Sequence, residues 1–524
     1  MKNIIKKILL FLFCTASLRC DAQITFQKTY GGAGDDNGYS VQQTTDDGYI
    51  ICGQINNSAA DDDVYLIRLD SAGNQMWAKS CGGTGWESGS SVKQTTDGGF
   101  IIGGWGYGGF YLFKADNNGN HIWSKVFGRP WEDYGTSVKQ TTDGGYIFTG
   151  GTRNSDAYND DIYLIKTDSI GNVVWRKIYG GSYHEYGDCV IQASDGGYAI
   201  IGYSSSFGIG SGDVYLIKTD GNGNISWSKT YGGIGQDRGE SILQTSDGGY
   251  IIAGYTMDNV GTGGPYHVYL IKTDSIGNLM WSKTYRGTGS EYGYSIAQTT
   301  DGGFIITGTT TSFGSGSADV YLIRTDSTGN LLWSKTYGGA DIEQGFSVCQ
   351  TNDGGYVMTG YTRSFGTVAP FGDLYIIKTD SLGNSCGNQS AALTIVTAPI
   401  TQVTSPITPV ASNGTTSVPV TILNNNGDYV TLCNYMPTGI NETNSEKNIS
   451  LFPNPATDEL IVSSSEFGVK SIEIYNTLGE KVYTSAGTSQ STAETINVSK
   501  LSSGIYFVRV RTSDGMSAGK FVKE

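Results

Sequence analysis

The sequence predicts an all-β chain: a seven-bladed β-propeller followed by a spacer and a small C-terminal β-sandwich. Three observations carry this reading. A glycine-rich turn recurs about every 50 residues, each repeat holds four β-type runs, and the last repeat lacks a run that reappears near the start of the chain.

Residues 1–22 read as a secretory signal peptide. Lys2, Lys6 and Lys7 precede the apolar run Ile8–Phe13, and Ala22 supplies a small residue for cleavage. The run is too short to anchor the chain across a bilayer, and no later segment is apolar enough to do so. Of 34 basic and 49 acidic residues, the leader removes four and one, leaving 30 and 48 and a net charge of −18. Such a surface repels phosphate backbones, so nucleic acid is excluded as a partner.

Residues 23–385 form the propeller. Asp-Gly-Gly or a near copy begins at Asp46, Asp97, Asp143, Asp195, Asp247, Asp301 and Asp353, with steps of 51, 46, 52, 52, 54 and 52 residues. Steps of that size fit one blade and exceed the roughly 20–35 residues of leucine-rich or ankyrin repeats. The sixth unit shows the pattern, with runs at Tyr294–Thr299, Phe304–Gly308, Asp319–Asp326 and Leu331–Tyr337. Gly302, Gly329 and Asn330 sit in its two hairpin turns, where positive φ is needed. Four antiparallel strands make one blade. In the seventh unit Ser385-Cys386-Gly387 stands where a fourth strand belongs, and Ile24–Tyr30 matches the missing strand, with Phe26 in place of tryptophan. That strand is expected to close the ring beside Asp373–Lys378 and remove an exposed sheet edge.

Residues 386–444 are a Thr/Ser/Val-rich spacer with β-propensity but no turn rhythm. Cys386 and Cys433 flank it, and a disulfide between them is expected in an exported chain. Cys52, Cys81, Cys189 and Cys349 occupy ordinary strand positions and read as small core residues. Residues 445–524 contain alternating runs such as Glu459–Ser463, Ser471–Tyr475 and Ile505–Val510, which fit a small sandwich.

Leu451-Phe452-Pro453-Asn454-Pro455, Ile474–Gly479, Leu501–Tyr506 and the closing Gly519–Lys523 resemble the type IX secretion C-terminal sorting domain of Bacteroidota. The resemblance implies export across both membranes through the type IX machinery, then release or attachment at the outer-membrane surface. The segment Lys166–Trp175 is also similar to the tryptophan-docking motif of pyrroloquinoline-quinone-type repeats. Its glycine lies one residue nearer the aspartate, and seven blades stand where that family has eight, so no quinone and no other cofactor is expected.

Three sets of residues are candidates for function. Asp36, Glu87, Asp133, Glu185, Asp237, Glu291 and Glu343 each stand two residues before a glycine, ahead of the first strand of a unit. They fit either a ring of carboxylates at one channel mouth, able to bind cations, or hydrogen-bond acceptors at blade junctions; their identical recurrence favours the structural role. The tryptophans at 77, 123, 175, 227, 281 and 333 recur at one fourth-strand position and read as packing between blades. Trp86, Trp105 and Trp131 break that symmetry, with Tyr107, Phe110 and Tyr134 nearby, and form a candidate ligand-binding surface suited to stacking on sugars. Local loop packing is the competing reading for these residues.

With only His121, His184 and His267, no C-x-x-C pair, no nucleophile elbow and no phosphate loop, neither a metal site nor a catalytic constellation is expected. The expected function is that of a monomeric, secreted or surface-attached binding propeller recognising a glycan or a protein. A secreted hydrolase acting on polysaccharide and a structural matrix protein are the alternatives.

Overall fold

The computed structural model describes residues 23–385 apart from 57–61, 83–84, 107, 129–131, 154–158, 258–263 and 367–370; strands within 389–435; and residues 449–523 apart from 465–468, 477–480, 487–492 and 513–514. Residues 23–385 form seven four-stranded antiparallel sheets, which are the blades of the propeller. Their inner strands are Asn37–Gln43, Glu87–Gln94, Asp133–Gln140, Glu185–Gln192, Asp237–Gln244, Glu291–Gln298 and Glu343–Gln350, opening blades 1 to 7. Each inner strand packs against that of the next blade, and blade 7 packs against blade 1. The ring is closed.

Burial explains the sequence of each strand. Second and third strands, such as Phe304–Thr310 and Asp319–Thr325, are buried throughout, because neighbouring blades cover both their faces. They accordingly read as continuous apolar runs rather than alternating ones. The fourth strand Leu331–Tyr337 keeps an exposed Leu332 and buries Tyr337.

The closing strand lies where the sequence places it. Thr25–Gly31 runs antiparallel to Asp373–Thr379, with Phe26 opposite Lys378 and Tyr30 opposite Leu374. Phe26 meets Gly73 of blade 1 as Trp77 meets Gly119, Trp175 meets Gly223 and Trp333 meets Gly383. The recurring tryptophans thus sit on the hairpin glycine of the following blade. Beneath them, tyrosines Tyr30, Tyr179, Tyr231, Tyr285 and Tyr337 donate hydroxyl hydrogen bonds of 2.6–2.7 Å to carbonyls in the same hairpins.

Two further ladders run around the ring. The last residue of an inner strand is a glutamine whose Oε1 accepts the turn N–H of the preceding blade, as in Thr45 to Gln94 and Thr142 to Gln192; Asn352 to Gln43, at 2.8 Å, crosses the closure. Inner-strand serines accept from the following blade, and Val41 N–H to Ser347 Oγ closes that series too. Within each blade the aspartate of the first hairpin turn pairs with a buried third-strand cation, Arg68, Lys114, Lys166, Lys218, Lys272, Arg324 or Lys378.

The segment after the propeller supplies outer strands to it. Gln389–Ser390 pairs with the fourth strand of blade 6, Thr394–Val396 with blade 5, Thr401–Thr404 with blade 4, Thr415–Thr416 with blade 2 and Thr421–Asn424 with blade 1. Asp428–Tyr435 then pairs with Thr25–Gly31, so blade 7 ends in a fifth strand laid on the closing one. The chain makes one antiparallel circuit of the rim, opposite in sense to the order of the blades. The expected partner of Cys433, Cys386, lies outside the described residues, while the backbone of Cys433 stands opposite Gln27.

The second compact unit, residues 436–524, is a β-sandwich. Ile449–Phe452, Glu459–Ser464 and Ala493–Asn497 form one sheet; Val469–Tyr475, Lys481–Ala486, Gly504–Thr512 and Gly515–Lys523 form the other. Leu460, Val462 and Ile496 from the first meet Ile472, Ile474, Val508 and Phe521 from the second in one buried core.

Candidate binding site in the propeller channel

The inner strands share one irregularity. Each carries a β-bulge just after its glycine, between Gly38 and Ser40 in blade 1 and between Gly239 and Ser241 in blade 5, for example. A bulge leaves one residue out of the ladder and re-aims its side chain. The bulged residues are Tyr39, Ser90, Thr136, Asp188, Glu240, Tyr294 and Phe346, and all seven line a single cavity of about 390 Å³. Seven repeats of one backbone feature therefore display six kinds of side chain to one space.

Those side chains divide the wall. Blades 4 and 5 are ionic. Arg238 Nε donates to Asp188 Oδ2 at 2.9 Å and its terminal nitrogen to Oδ1 at 2.5 Å, a two-pronged pair, while Glu240 Oε1 lies 3.1 Å from Arg238 Nε. Burial pushes the Glu240 carboxyl above the usual range, Arg238 pulls it back, and Asp188 adds to the rise. The guanidinium also sits 5.6 Å from the centre of the Tyr186 ring, a cation–π contact.

Blades 6, 7 and 1 are aromatic. Tyr292 stacks on Tyr294 at 6.0 Å, Tyr294 meets Phe346 at 5.8 Å and Phe346 meets Tyr39 at 5.3 Å. Tyr255 extends the arc, 5.1 Å from Tyr292. Blades 2 and 3 present hydroxyls, Trp105, Lys93 and Lys139. The far mouth of the channel, about 570 Å³, is lined by the glutamines Gln42, Gln43, Gln94 and Gln350 and by turn threonines. Several of these groups are occupied in the ring-closing hydrogen bonds, so that end is structural in character.

The residues singled out from sequence separate on this map. Trp105 lines the cavity, and it lies within the strand Phe100–Gly106 opposite Ser88 rather than in a connection. Tyr134 is half-buried, 6.2 Å from Tyr186, and burial raises its hydroxyl pKa strongly. Trp86 is 50% exposed and stands just before the inner strand of blade 2. Phe110 belongs to the core: it is 1% exposed and packs on Phe148 at 4.9 Å and Tyr163 at 6.1 Å, which leaves no ring surface for a ligand. Tyr107 and Trp131 lie outside the described residues.

The carboxylate series does not face the channel. Asp36, Asp133, Glu185, Asp237, Glu291 and Glu343 are at most 5% exposed, and Glu87 is half-buried. Glu185 accepts from Gly181 N–H at 2.7 Å and from Ser204 Oγ at 2.8 Å; Glu343 accepts from Gly339 N–H at 2.6 Å and Thr362 Oγ1 at 2.8 Å. Each of these pins the connection that enters its blade. Among the described residues no group of three acidic, histidine or cysteine side chains is placed to hold a metal ion.

Arg238, Asp188, Glu240, Tyr294 and Phe346 were not among the residues singled out. For all but Arg238, which precedes its glycine, the signal is the position after each inner-strand glycine, which varies between that glycine and a residue that is serine in six blades and Cys189 in the other.

Fold and site define a repeat propeller with one asymmetric cavity at its axis, followed in the chain by an independent β-sandwich. Residues 450–524, which form that sandwich, match the family model of the secretion system C-terminal sorting domain. The chain therefore carries a type IX sorting domain at these residues, which marks it as secreted or attached at the outer-membrane surface. No curated protein matches it. Among solved structures, the extracellular domain of BT4673 from B. thetaiotaomicron is 10% identical, with 93% of this chain and 74% of that one covered and a TM-score of 0.22. The tail fiber of Staphylococcus aureus phage P68 is 9% identical, with coverage of 68% and 94% and a TM-score of 0.21. Likenesses this distant carry no functional argument. No helix among the described residues is long and apolar enough to cross a membrane.

Proposed function

We propose that this exported protein is a binding propeller that takes a glycan in the channel cavity lined by the bulged inner-strand residues. The observation that supports this most is the continuous aromatic arc from Tyr255 through Tyr292, Tyr294 and Phe346 to Tyr39, which starts beside the Arg238–Asp188–Glu240 group. Sugar rings offer flat C–H faces that stack on aromatic rings, and hydroxyls that need fixed donors and acceptors around them.

A glycan array probed with the secreted protein tests the reading. Binding is expected, and Tyr294→Ala or Phe346→Ala should weaken it about fivefold each, the roughly 1 kcal/mol of one aromatic contact. A blank array, with a protein captured instead and insensitive to both changes, would replace glycan by protein as the ligand class.

One observation supports a hydrolase as the second reading. Asp188 and Glu240 face one cavity in unlike surroundings, the first clamped by Arg238 and the second held up by burial. Two carboxyls in unlike surroundings facing one cleft are what glycoside hydrolysis uses. Turnover of a bound polysaccharide that Glu240→Gln abolishes, with binding retained, would favour this reading; binding without turnover would dismiss it.

A further inference from the structure

Lys93 and Lys139 occupy the same register position in the inner strands of adjacent blades 2 and 3. At that position the other blades carry Gln42, Ile191, Leu243, Ala297 and Cys349, so the charge is confined to one sector of the wall. Both lysines line the channel cavity. Neither has a hydrogen-bond or ion-pair partner among the described residues. The charged or ionisable groups nearest to Lys93 in effect are Lys139 and the thiols of Cys349, Cys189 and Cys52, with no carboxylate among them.

This is unusual for the chain. All seven third-strand cations have an aspartate within 3.0 Å, and the mature chain carries acidic groups in large excess. Two unpaired ammonium groups side by side repel each other and cost stability when desolvated. Burial and the neighbouring Lys139 lower the Lys93 pKa to about 7.

A second observation points to the same cavity, further along the strand. The Ser88 hydroxyl, five residues before Lys93, lines the cavity, is 2% exposed and has no hydrogen-bond partner. A buried hydroxyl left without a partner is a donor awaiting an acceptor. Trp105 lies across from it in the adjoining strand and offers a ring face.

We propose that Lys93 and Lys139 form a subsite for the carboxylate of a single acidic sugar unit, with Ser88 and Trp105, four ladder steps or roughly 13 Å along the strands, facing the rest of the glycan. An oxyanion between the two ammonium groups would remove their repulsion, while a neighbouring sugar unit accepts from Ser88 and stacks on Trp105. The net charge of the protein disfavours a chain bearing many anions, so one acidic unit is the fitting ligand. The proposal deepens the glycan reading above and rests on it for the sugar, but not for the anion.

Calorimetric titration of the full-length secreted protein at pH 6 tests it, with glucuronate, glucose and inorganic sulfate as probes. Glucuronate should bind at least tenfold more tightly than glucose or sulfate, and Lys93→Gln or Lys139→Gln should each weaken it at least tenfold. The melting temperature of either variant should equal or exceed that of the parent, since a repulsion is removed. Failure of glucuronate to bind, or binding indifferent to both lysines, overturns the subsite; sulfate binding as tightly as glucuronate overturns its assignment to a sugar. Array binding of neutral glycans that the lysine changes leave untouched would sink the subsite and spare the glycan reading. Lysine-dependent glucuronate binding beside a blank array of neutral glycans would do the reverse.

Discussion

Trp227 and Gly277 show how single residues hold two blades together. Gly277 has φ +77°, and a Cβ placed on it would come within 2.6 Å of the Trp227 ring. Gly302 has nearly the same backbone, φ +85°, but nothing within 4 Å of such a Cβ. Alanine at either site incurs the left-handed strain of roughly 1–2 kcal/mol. Only Gly277→Ala adds overpacking against the ring, a further 1–3 kcal/mol or so. Urea unfolding of the two variants should therefore differ by about that amount, with Gly277→Ala the less stable; equal midpoints would show that the ring does not bear on the glycine. The tryptophan's role was legible because it recurs at one register position. The role of Asp188 and Glu240 was not, since a bulge decides which face a residue joins, and one extra residue inverts the alternation that sequence reading relies on.

At the level of elements, the rim segment changes what the propeller exposes. A four-stranded blade ends in a row of unpaired N–H and C=O groups, a template for pairing with another chain. Strands between Gln389 and Tyr435 cover that edge on six of the seven blades among the described residues. The last of them lies on Thr25–Gly31, so the closing strand is held from both sides, by Asp373–Thr379 and by Asp428–Tyr435. Joining residue 385 directly to 436 should uncover these edges. The expected outcome is oligomers or aggregates in light scattering after size exclusion, and a lower melting temperature than the full chain. A monodisperse, equally stable product would show the circuit to be dispensable. Thr-, Ser- and Val-rich composition gave the β-propensity of this segment but not its partner. An outer strand takes its register from the edge it joins, and nothing local in its own sequence records that edge.

Across the whole ring, buried acids meet in pairs at the blade junctions. Asp36 of the series ahead of the inner strands faces Asp373 of the preceding blade, Asp237 faces Asp213, Glu185 faces Asp161 and Glu343 faces Asp319. The recurrence of one partner was visible in sequence; the other comes from the start of the third strand one blade earlier and is brought to it only by ring geometry. Burial, reinforced by the neighbouring carboxylate, raises Asp36 and Asp213 to about 7 and Asp161 to about 6, against backbone N–H bonds that lower Asp36 and Asp213. The unfolded chain ionises these groups near pH 4. Between about pH 4 and 7 the native state therefore binds more protons than the unfolded one, and stability must fall as pH rises through that window. His121, whose pKa burial lowers, opposes this, as does Lys93 at the upper end of the window, where burial brings it to about 7, while Glu240, raised by burial, adds to it. The turn aspartates Asp143 and Asp247, held at about 2 chiefly by their lysine hydrogen bonds against the effect of burial, lose their stabilising charge only below that window. The urea midpoint should accordingly be higher at pH 5 than at pH 7.5, and Asp213→Asn should flatten the slope by removing one of the protons taken up. A midpoint that is constant or rises from pH 5 to 7.5 would mean that the junction acids are ionised in the folded ring.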